Sequence, residues 1–375
     1  MMNYLFDKFA DTNGNINGMK LWGALQPHIE ASDLVVNYGE GDREGLVLVT
    51  YSKTYQYDNN KQDWAPLVKH CRGIIFDATD NYKIVALPFS KFFNYGEGDI
   101  HYPSPGAKIK EVHTKVDGSL GILFYWNDKW HLTTRGSLNS DIGLVGQQIF
   151  DKMYNPSIHD LHENNTYLFE IIDPICRIVV QYGDGSDLVL LGCRNKLHGM
   201  STFGKPALPS WGTIAGSYTF QTKEKIVEWL NNTKGTEFEG FVVHYDDGSI
   251  FKFKSEDYMR LHRILAHFTF KRVLEAYQEG EHENVRRSLP EELLPEFDKF
   301  IEQIDQKVGE YVNKVDHVVK NAPLDSRREF ALYMQQYYKG SIALKYGFKY
   351  VDFGMNKEML AKHILKSLKA DDFEK

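Results

Sequence analysis

The stretch EGFVVHYDDGSIFKFKSEDY, residues 239–258, separates two textures of the chain. Phe241–Tyr245 and Ser249–Phe253 are short apolar runs, and Asp246-Asp247-Gly248 between them is hairpin chemistry, since a tight reversal favours residues that tolerate positive φ. To the N-terminal side the same texture recurs. Leu46–Thr50, Gly73–Asp77, Lys83–Leu87, Leu120–Trp126, Tyr167–Ile172, Arg177–Tyr182 and Leu188–Cys193 are β-branched or aromatic runs between turn signals. Helical stretches at Asp141–Met153 and Thr222–Asn231 interrupt them without a regular βαβ alternation, which predicts an α+β fold with antiparallel sheets. Beyond Glu256 the period changes. Leu293, Phe297, Ile301, Ile304, Val308, Val312, Val315 and Val319 follow three-four spacing up to Pro323, and Tyr258–Tyr277, Arg328–Tyr338 and Lys357–Leu368 are patterned alike. The expectation is an α+β domain over 1–256 and an all-helical domain over 257–375.

Composition sets outer limits. The 375 residues are 42% hydrophobic and 25% charged, as in globular domains, and can bury a sizeable core. Cys71, Cys176 and Cys193 make no CxxC pair, so neither a disulfide scaffold nor a zinc site is expected. No basic-then-apolar leader opens the chain and apolar runs are strand-sized, so a cytoplasmic protein, expected as a monomer and with no membrane partner, is the reading. The net charge of −7 disfavours a generally basic nucleic-acid binder, but local patches matter more than the total. Lys252–Glu275 holds six basic residues against three acids, and Arg327–Lys345 four against one. Fourteen histidines without HExxH spacing give no support to a metal hydrolase.

Chemistry gathers around Lys115-Val116-Asp117-Gly118-Ser119, which ends an extended segment. A lysine attacks phosphorus or carbon only when it can shed its proton, through burial or neighbouring cations. Alone, a tetrapeptide such as Lys115-Val116-Asp117-Gly118 is usually a surface turn. Its company gives it weight. Glu170 alternates with Phe169 and Ile171 on a strand, so it points away from their core face. Glu239 stands at the mouth of the strand Phe241–Val243. Lys252 and Lys254, two apart, share a strand face where their charges repel unless an anion lies between them, and each would help lower the pKa of a third lysine nearby. Upstream, Arg72 opens an apolar strand and Lys91 precedes Phe92 and Phe93, a fork and a point charge suited to phosphate.

The ordered set Arg72-Gly73, Lys91-Phe92-Phe93-Asn94, Lys115-Val116-Asp117-Gly118, Phe169-Glu170, Arg177-Ile178-Val179, Glu239-Gly240-Phe241-Val242 and Lys252-Phe253-Lys254-Ser255 resembles the covalent nucleotidyltransferases, the polynucleotide ligases and RNA capping enzymes. The Lys91-Phe92-Phe93-Asn94 element and the helical C-terminal part resemble the phage RNA ligase 1 branch in particular. The resemblance implies a nucleotidyltransferase domain, ATP-grasp-like, followed by a helical RNA-specificity domain in an ATP-dependent RNA ligase. Lys115 would become lysyl-AMP. Arg72 and Lys91, with Tyr51 beside them, would hold the outer phosphates of ATP, Glu170 the ribose, and Lys252 and Lys254 the α-phosphate. Glu239 would lie near the amine and a Mg²⁺ or Mn²⁺ ion, whose ligands the sequence does not assign. Tyr258 matches a tyrosine of the same branch. Arg135 stands where relatives carry lysine, and Cys176 precedes Arg177 where asparagine can stand.

The activity implied is the sealing of 5′-phosphate to 3′-hydroxyl RNA ends through lysyl-AMP and an adenylated 5′ end, in repair of RNA such as broken tRNA within a phage-infected bacterial cell. A DNA ligase or capping enzyme would place an OB-fold after Lys254, where this chain turns helical. A non-catalytic RNA-binding relative would have no reason to keep Lys115, Glu170, Glu239, Lys252 and Lys254 together. The aromatic and basic stretch Arg327–Tyr350, with Tyr333, Tyr337, Tyr338, Lys339, Lys345 and Tyr346, is either helix core or an RNA-stacking surface.

Overall fold

The computed structural model describes residues 4–373 apart from 58–63, 98–100, 155–159, 177, 209–210 and 290–292. Two compact units emerge, Met1–Arg260 and Leu261–Lys375. Strands of the first unit are β1 (Leu34–Tyr38), β2 (Leu46–Tyr51), β3 (Arg72–Asp77), β4 (Lys83–Ala86), β5 (Phe93–Asn94), β6 (Ile109–Lys115) and β7 (Ser119–Trp126). There follow β8 (Lys129–Thr134), β9 (Asn165–Ile172), β10 (Asp187–Asn195), β11 (Ser201–Phe203), β12 (Ser217–Tyr218), β13 (Gly240–Tyr245) and β14 (Ile250–Lys254). They form three sheets, ordered β1-β2-β3-β4, β11-β10-β9-β7-β8 and β12-β6-β13-β14-β5. The pairings are antiparallel except β14 with β5. The fold is α+β with antiparallel sheets, as the sequence led one to expect.

The sheet built on β6, β13 and β14 positions the site. Alternation sends Val112, Phe241, Val243, Phe251 and Phe253 to one side, where Ile226 and Leu230 of the helix Lys223–Asn231 cover them. That helix starts where Thr222 accepts a hydrogen bond from the Lys225 amide, and its two buried residues are four apart, on one stripe. The opposite side of the same strands is left for polar residues. Behind the neighbouring sheet, Leu123, Leu132, Phe169 and Ile171 pack with Ile149, Phe150 and Trp211.

Three sequence expectations change. Arg177 lies outside the described residues, and 178–182 form a loop rather than a strand, because the Asp117 carboxylate takes the Val179 and Val180 amides, each at 2.8 Å, that a sheet ladder would use. The segment Tyr258–Tyr277 is two helices, Glu256–His267 and Phe270–Glu279, since Thr269 caps the second by accepting from the Arg272 amide. The α-helix begun at Asp141 ends at Ile149 and passes into a π-turn, Phe150–Tyr154.

In the second unit the 27-residue helix Leu294–Lys320 sends Ile304, Val312, Val315 and Val319 into one core. Tyr346 and Tyr350 of the helix Ile342–Asp352 share it with Leu360 and Ile364 of Lys357–Ser367. The Tyr350 hydroxyl donates to buried Asp316 at 2.6 Å, so Tyr346 and Tyr350 serve as core. Tyr337, 63% exposed, is the tyrosine of that stretch most open to solvent.

Candidate active site

Lys115, at the end of β6, and Lys254, at the end of β14, both pair with Gly240 of β13 between them. Glu239, one residue earlier, is thereby held between two ammonium groups. Its Oε2 accepts from Lys115 Nζ at 2.6 Å and its Oε1 lies 2.9 Å from Lys254 Nζ, while the carboxylate itself is almost wholly buried. A side chain at 240 would drive a Cβ to 2.0 Å from the Phe253 carbonyl oxygen, so only glycine lets the three strands close at this row. Both lysines keep about a fifth to a quarter of their side chains exposed (21% and 24%), so the charges meet solvent on one side only.

Beside Lys115 opens a cavity of about 500 Å³. One end is cationic, with Arg72, Lys115, Arg135 and Lys252 converging there and Glu170 as the carboxylate. Phe169 and Ile171 turn into the core while Glu170, between them on β9, faces this space. Around Phe203 the lining turns aromatic and apolar, with Phe89, Leu191, His113 and His244, while Val242 lies between His113 and Lys252 as the strand partner of both. Gly118 closes the junction. A Cβ there would lie 2.5 Å from the Ile171 carbonyl oxygen, so glycine is what lets the turn after Lys115 lie against β9.

Lys91 stands just behind these cations. Lys91 Nζ is boxed by rings, 4.6 Å from the Trp64 centroid, 4.9 Å from Phe93 and 5.5 Å from Tyr51. The Arg135 guanidinium lies 4.8 Å from the Tyr51 centroid, and Lys252 5.0 Å from Phe92, so aromatic faces hold these charges near one another. Burial would raise the Tyr51 hydroxyl's pKa, yet Arg72, Arg135 and Lys91 outweigh it and hold the value below the ordinary one.

Asp117 organises the turn after Lys115. Its Oδ2 accepts the Val179 and Val180 amides, its Oδ1 accepts the Tyr258 hydroxyl at 2.7 Å, and its own amide donates to the Tyr182 hydroxyl at 2.9 Å. Tyr258 is 2% exposed, and Lys254 Nζ stands 5.2 Å from its ring. The sequence treats Asp117 only as part of a turn. Its partners are more than 60 residues away, and no local pattern announces them.

The electrostatics reverse one expectation. Burial works against the charge on Lys115, but Glu239, Glu170 and Asp117 together hold its ammonium above the ordinary lysine value. The lysine driven well below its ordinary value is Lys252, through burial first and then repulsion from Arg72, Lys115, Lys91 and Lys254. Lys91 is also lowered, chiefly by burial. Burial pushes Glu170 up to about 7, with Lys115 opposing and Glu239 adding to the rise. Lys115 therefore rests as a charged, carboxylate-bound ammonium in the absence of a ligand.

Of the residues singled out from the sequence, Arg72, Lys115, Arg135, Glu170 and Lys252 line the cavity together. Glu239, Lys254 and Tyr258 stand behind Lys115, and Tyr51 and Lys91 behind Arg135 and Arg72. Arg177 is outside the described residues. Among the described residues no three His, Cys, Asp or Glu side chains gather to hold a metal ion, and Glu239 already spends both oxygens on lysines. Magnesium, however, is commonly bound through one or two carboxylates plus substrate phosphates, and Glu170, which lines the cavity beside Lys115, supplies one. No helix among the described residues is long and apolar enough to cross a membrane.

The chain is 27% identical over 252 residues to a protein of Autographa californica nuclear polyhedrosis virus named as a bifunctional polynucleotide kinase/RNA ligase, covering 61% of this chain and 35% of the viral one. It thus spans about a third of that relative's length. An RNA ligase of Rhodothermus phage RM378 is 24% identical over 364 residues, covering 72% of this chain and 79% of its own. Among solved structures, an archaeal ATP-dependent RNA ligase aligns over 84% of this chain and 85% of its own, with 12% identity and a TM-score of 0.46. The sequence model of the RNA ligase family, phage RNA ligase 1 type, matches residues 70–259, the segment from just before Arg72 to just after Tyr258, and the chain belongs to that family.

Proposed function

We propose that this protein is an ATP-dependent RNA ligase that acts through Lys115, in a first unit that is an adenylyltransferase. The observation that supports this best is the convergence of Arg72, Lys115, Arg135 and Lys252 on one cavity, with Glu239 in hydrogen-bond contact with the Lys115 amine. Four cations around a single space repel one another until a polyanion arrives, and a triphosphate is such an anion.

The reaction runs as three in-line displacements. Lys115 Nζ attacks the α-phosphorus of ATP, the P–N bond forms, the α–β bridging bond breaks, and pyrophosphate leaves. The amine must give up its proton first, and Glu239, at 2.6 Å, is the acceptor within reach. The 5′-phosphate of an RNA then attacks lysyl-AMP, and the amine leaves with a proton returned to it. Last, an RNA 3′-hydroxyl attacks the adenylated end, AMP departs, and the phosphodiester remains. Such steps ask chiefly for alignment and for positive charge on the equatorial oxygens. Lys252 supplies charge at the α-phosphate and Arg72, Arg135 and Lys91 farther out, Glu170 orients the ribose, and Asp117, fixed by Tyr258, holds the turn that aims Lys115. A divalent ion held by the substrate phosphates and Glu170 would neutralise phosphate charge.

The second unit is the RNA-specificity part in this reading, with broken tRNA as one substrate to test. Tyr337, rather than buried Tyr346 or Tyr350, is then the tyrosine placed to stack on a base. The decisive experiment is incubation with ATP labelled in the α-phosphate. A covalent protein–AMP adduct is expected, and Lys115→Ala should lose it by at least about a thousandfold. An adduct that survives that substitution would sink the proposal.

A further inference from the structure

The apolar end of the cavity holds two histidines that the ligation steps leave unused. His113 on β6 and His244 on β13 both border it, with ring centroids 5.4 Å apart at an interplanar angle of 89°. They share the sheet face of Lys115, since His113 lies two residues before it and pairs with Val242, two residues before His244. His113 is held from both sides, with Nδ1 at 3.3 Å from the Ser217 hydroxyl and Nε2 at 3.5 Å from Glu111. His244 packs its ring at 4.2 Å from Phe203, is 6% exposed, and its Nε2 has no partner among the described residues. A buried polar atom without a partner is a cost that folded proteins rarely leave standing, so an orphan in the wall of a cavity points to a group that arrives with a ligand.

Burial, with His113 adding repulsion, takes His244 down to about 4, so at neutral pH the ring is uncharged and offers one N–H and one lone pair. That is equipment for the edge of a flat heterocycle. The cations that line the cavity, Arg72, Lys115, Arg135 and Lys252, are the partners a phosphate would seek, whereas a sugar at Phe203 would find aromatic and aliphatic walls where it needs hydroxyl partners. Phe89, Phe203, Leu191 and Val242 instead provide the faces against which a planar ring packs.

We infer that His244, steadied by His113, is a base-reading residue: the nucleobase of the bound nucleoside triphosphate enters the apolar end of the cavity and its polar edge hydrogen-bonds the His244 imidazole. This rests on the nucleotide-binding part of the proposed function, and it adds the side chains that choose among bases. His244 stands apart from the charged end, so its contribution is to affinity and base choice.

The test is equilibrium binding of ATP, GTP, CTP and UTP with magnesium to the full-length protein, alongside adduct formation with each. Wild type is compared with His244→Phe, which keeps a packed ring and removes both nitrogens, and with His244→Asn, which restores a donor and an acceptor. The expected result is a rise of about tenfold or more in the Kd for ATP with His244→Phe, a matching loss of preference for ATP over GTP, and partial recovery with His244→Asn. Melting temperatures close to wild type show that the variants fold. Unchanged Kd and unchanged base preference in His244→Phe overturn the inference, and so does wild-type protein that binds all four nucleotides equally or binds none. Wild-type protein that binds ATP selectively through His244 but forms no adduct overturns the ligase chemistry and leaves the base-reading role standing.

Discussion

The sheet that carries Lys115 has two faces made by the same three strands, and they obey different rules. On one, Val112, Phe241, Val243, Phe251 and Phe253 lie in an apolar cluster with Ile226 and Leu230 of the helix Lys223–Asn231. On the other, one residue out of phase, His113, Lys115, Val242, His244 and Lys252 border a cavity, with Lys254 tied to Glu239 at its edge. The apolar face gains from every contact it makes. The polar face holds like charges at close range, buries Glu239 and keeps Lys252 well below its ordinary pKa, all of which cost stability in the absence of a ligand. The first face fixes the geometry against which the second is strained.

The largest effect should come from testing that division at adjacent residues. Phe241→Ala empties a fully buried site and should cost about 3–5 kcal/mol, read as a shift of the denaturant midpoint. Val242→Ala, one residue along but facing the cavity, should cost about 1 kcal/mol or less in stability while weakening nucleotide binding. Equal destabilisation by the two would break the comparison. Next is Glu239→Gln, which keeps shape but leaves Lys115 and Lys254 facing each other across a neutral amide. A loss on the order of 2–3 kcal/mol is expected, together with loss of adduct formation.

How far the sequence discloses these faces depends on the range of the interactions. The hairpin around Asp246-Asp247-Gly248 is local chemistry, and β13 and β14 fall where turn residues and alternation put them. The helical texture after Glu256 is likewise written in three-four spacing, although a threonine cap at 269 splits one expected helix. The loop 178–182 has strand composition and is captured instead by Asp117, a partner more than 60 residues away. Residues 327–350 read equally as a basic, stacking surface or as core, and only the packing of Tyr346 and Tyr350 against Val315 and Val319 decides for those two. In the candidate site, residue types and their order were legible, but charge states were not. Lysines two apart on a strand suggested a lowered Lys115, whereas the carboxylates that the fold brings beside it raise Lys115 and leave Lys252 as the depressed one.

A third prediction sharpens the electrostatic cost of the polar face. Glu170 rises from the ordinary carboxylate value to about 7 on folding. A raised acid binds its proton more tightly in the folded state. Its favourable contribution is therefore complete below about 4.5 and disappears as pH climbs through about 7, where folding must hold a buried anion. In nucleotide-free protein Glu170→Gln removes that burden. The variant should match wild type near pH 4.5 and become more stable by on the order of 2 kcal/mol by pH 8. Melting temperatures of both proteins across that range give the answer, and parallel curves would mean that Glu170 is solvated as an ordinary surface acid.

The smallest expected effect concerns Tyr258, where the two faces are joined to the helix that follows them. Its hydroxyl donates to Asp117 at 2.7 Å, and Asp117 holds the turn that starts at Lys115. Tyr258→Phe keeps the ring over which Lys254 lies and deletes the hydroxyl, which also reaches Glu239, while Asp117 retains its two backbone partners. About 1.5 kcal/mol of stability should be lost, the low end for a hydrogen bond to a charged group. If the bond aims Lys115 as well as stabilising the fold, the adduct rate at saturating ATP should fall while the Kd for ATP stays near wild type. If it only braces the turn, stability alone will move. Because this bond ties residue 258 to residue 117, a truncation meant to isolate the first unit must fall beyond Arg260: cutting after Ser255 would remove the donor and confuse loss of the helical unit with loss of Asp117's partner.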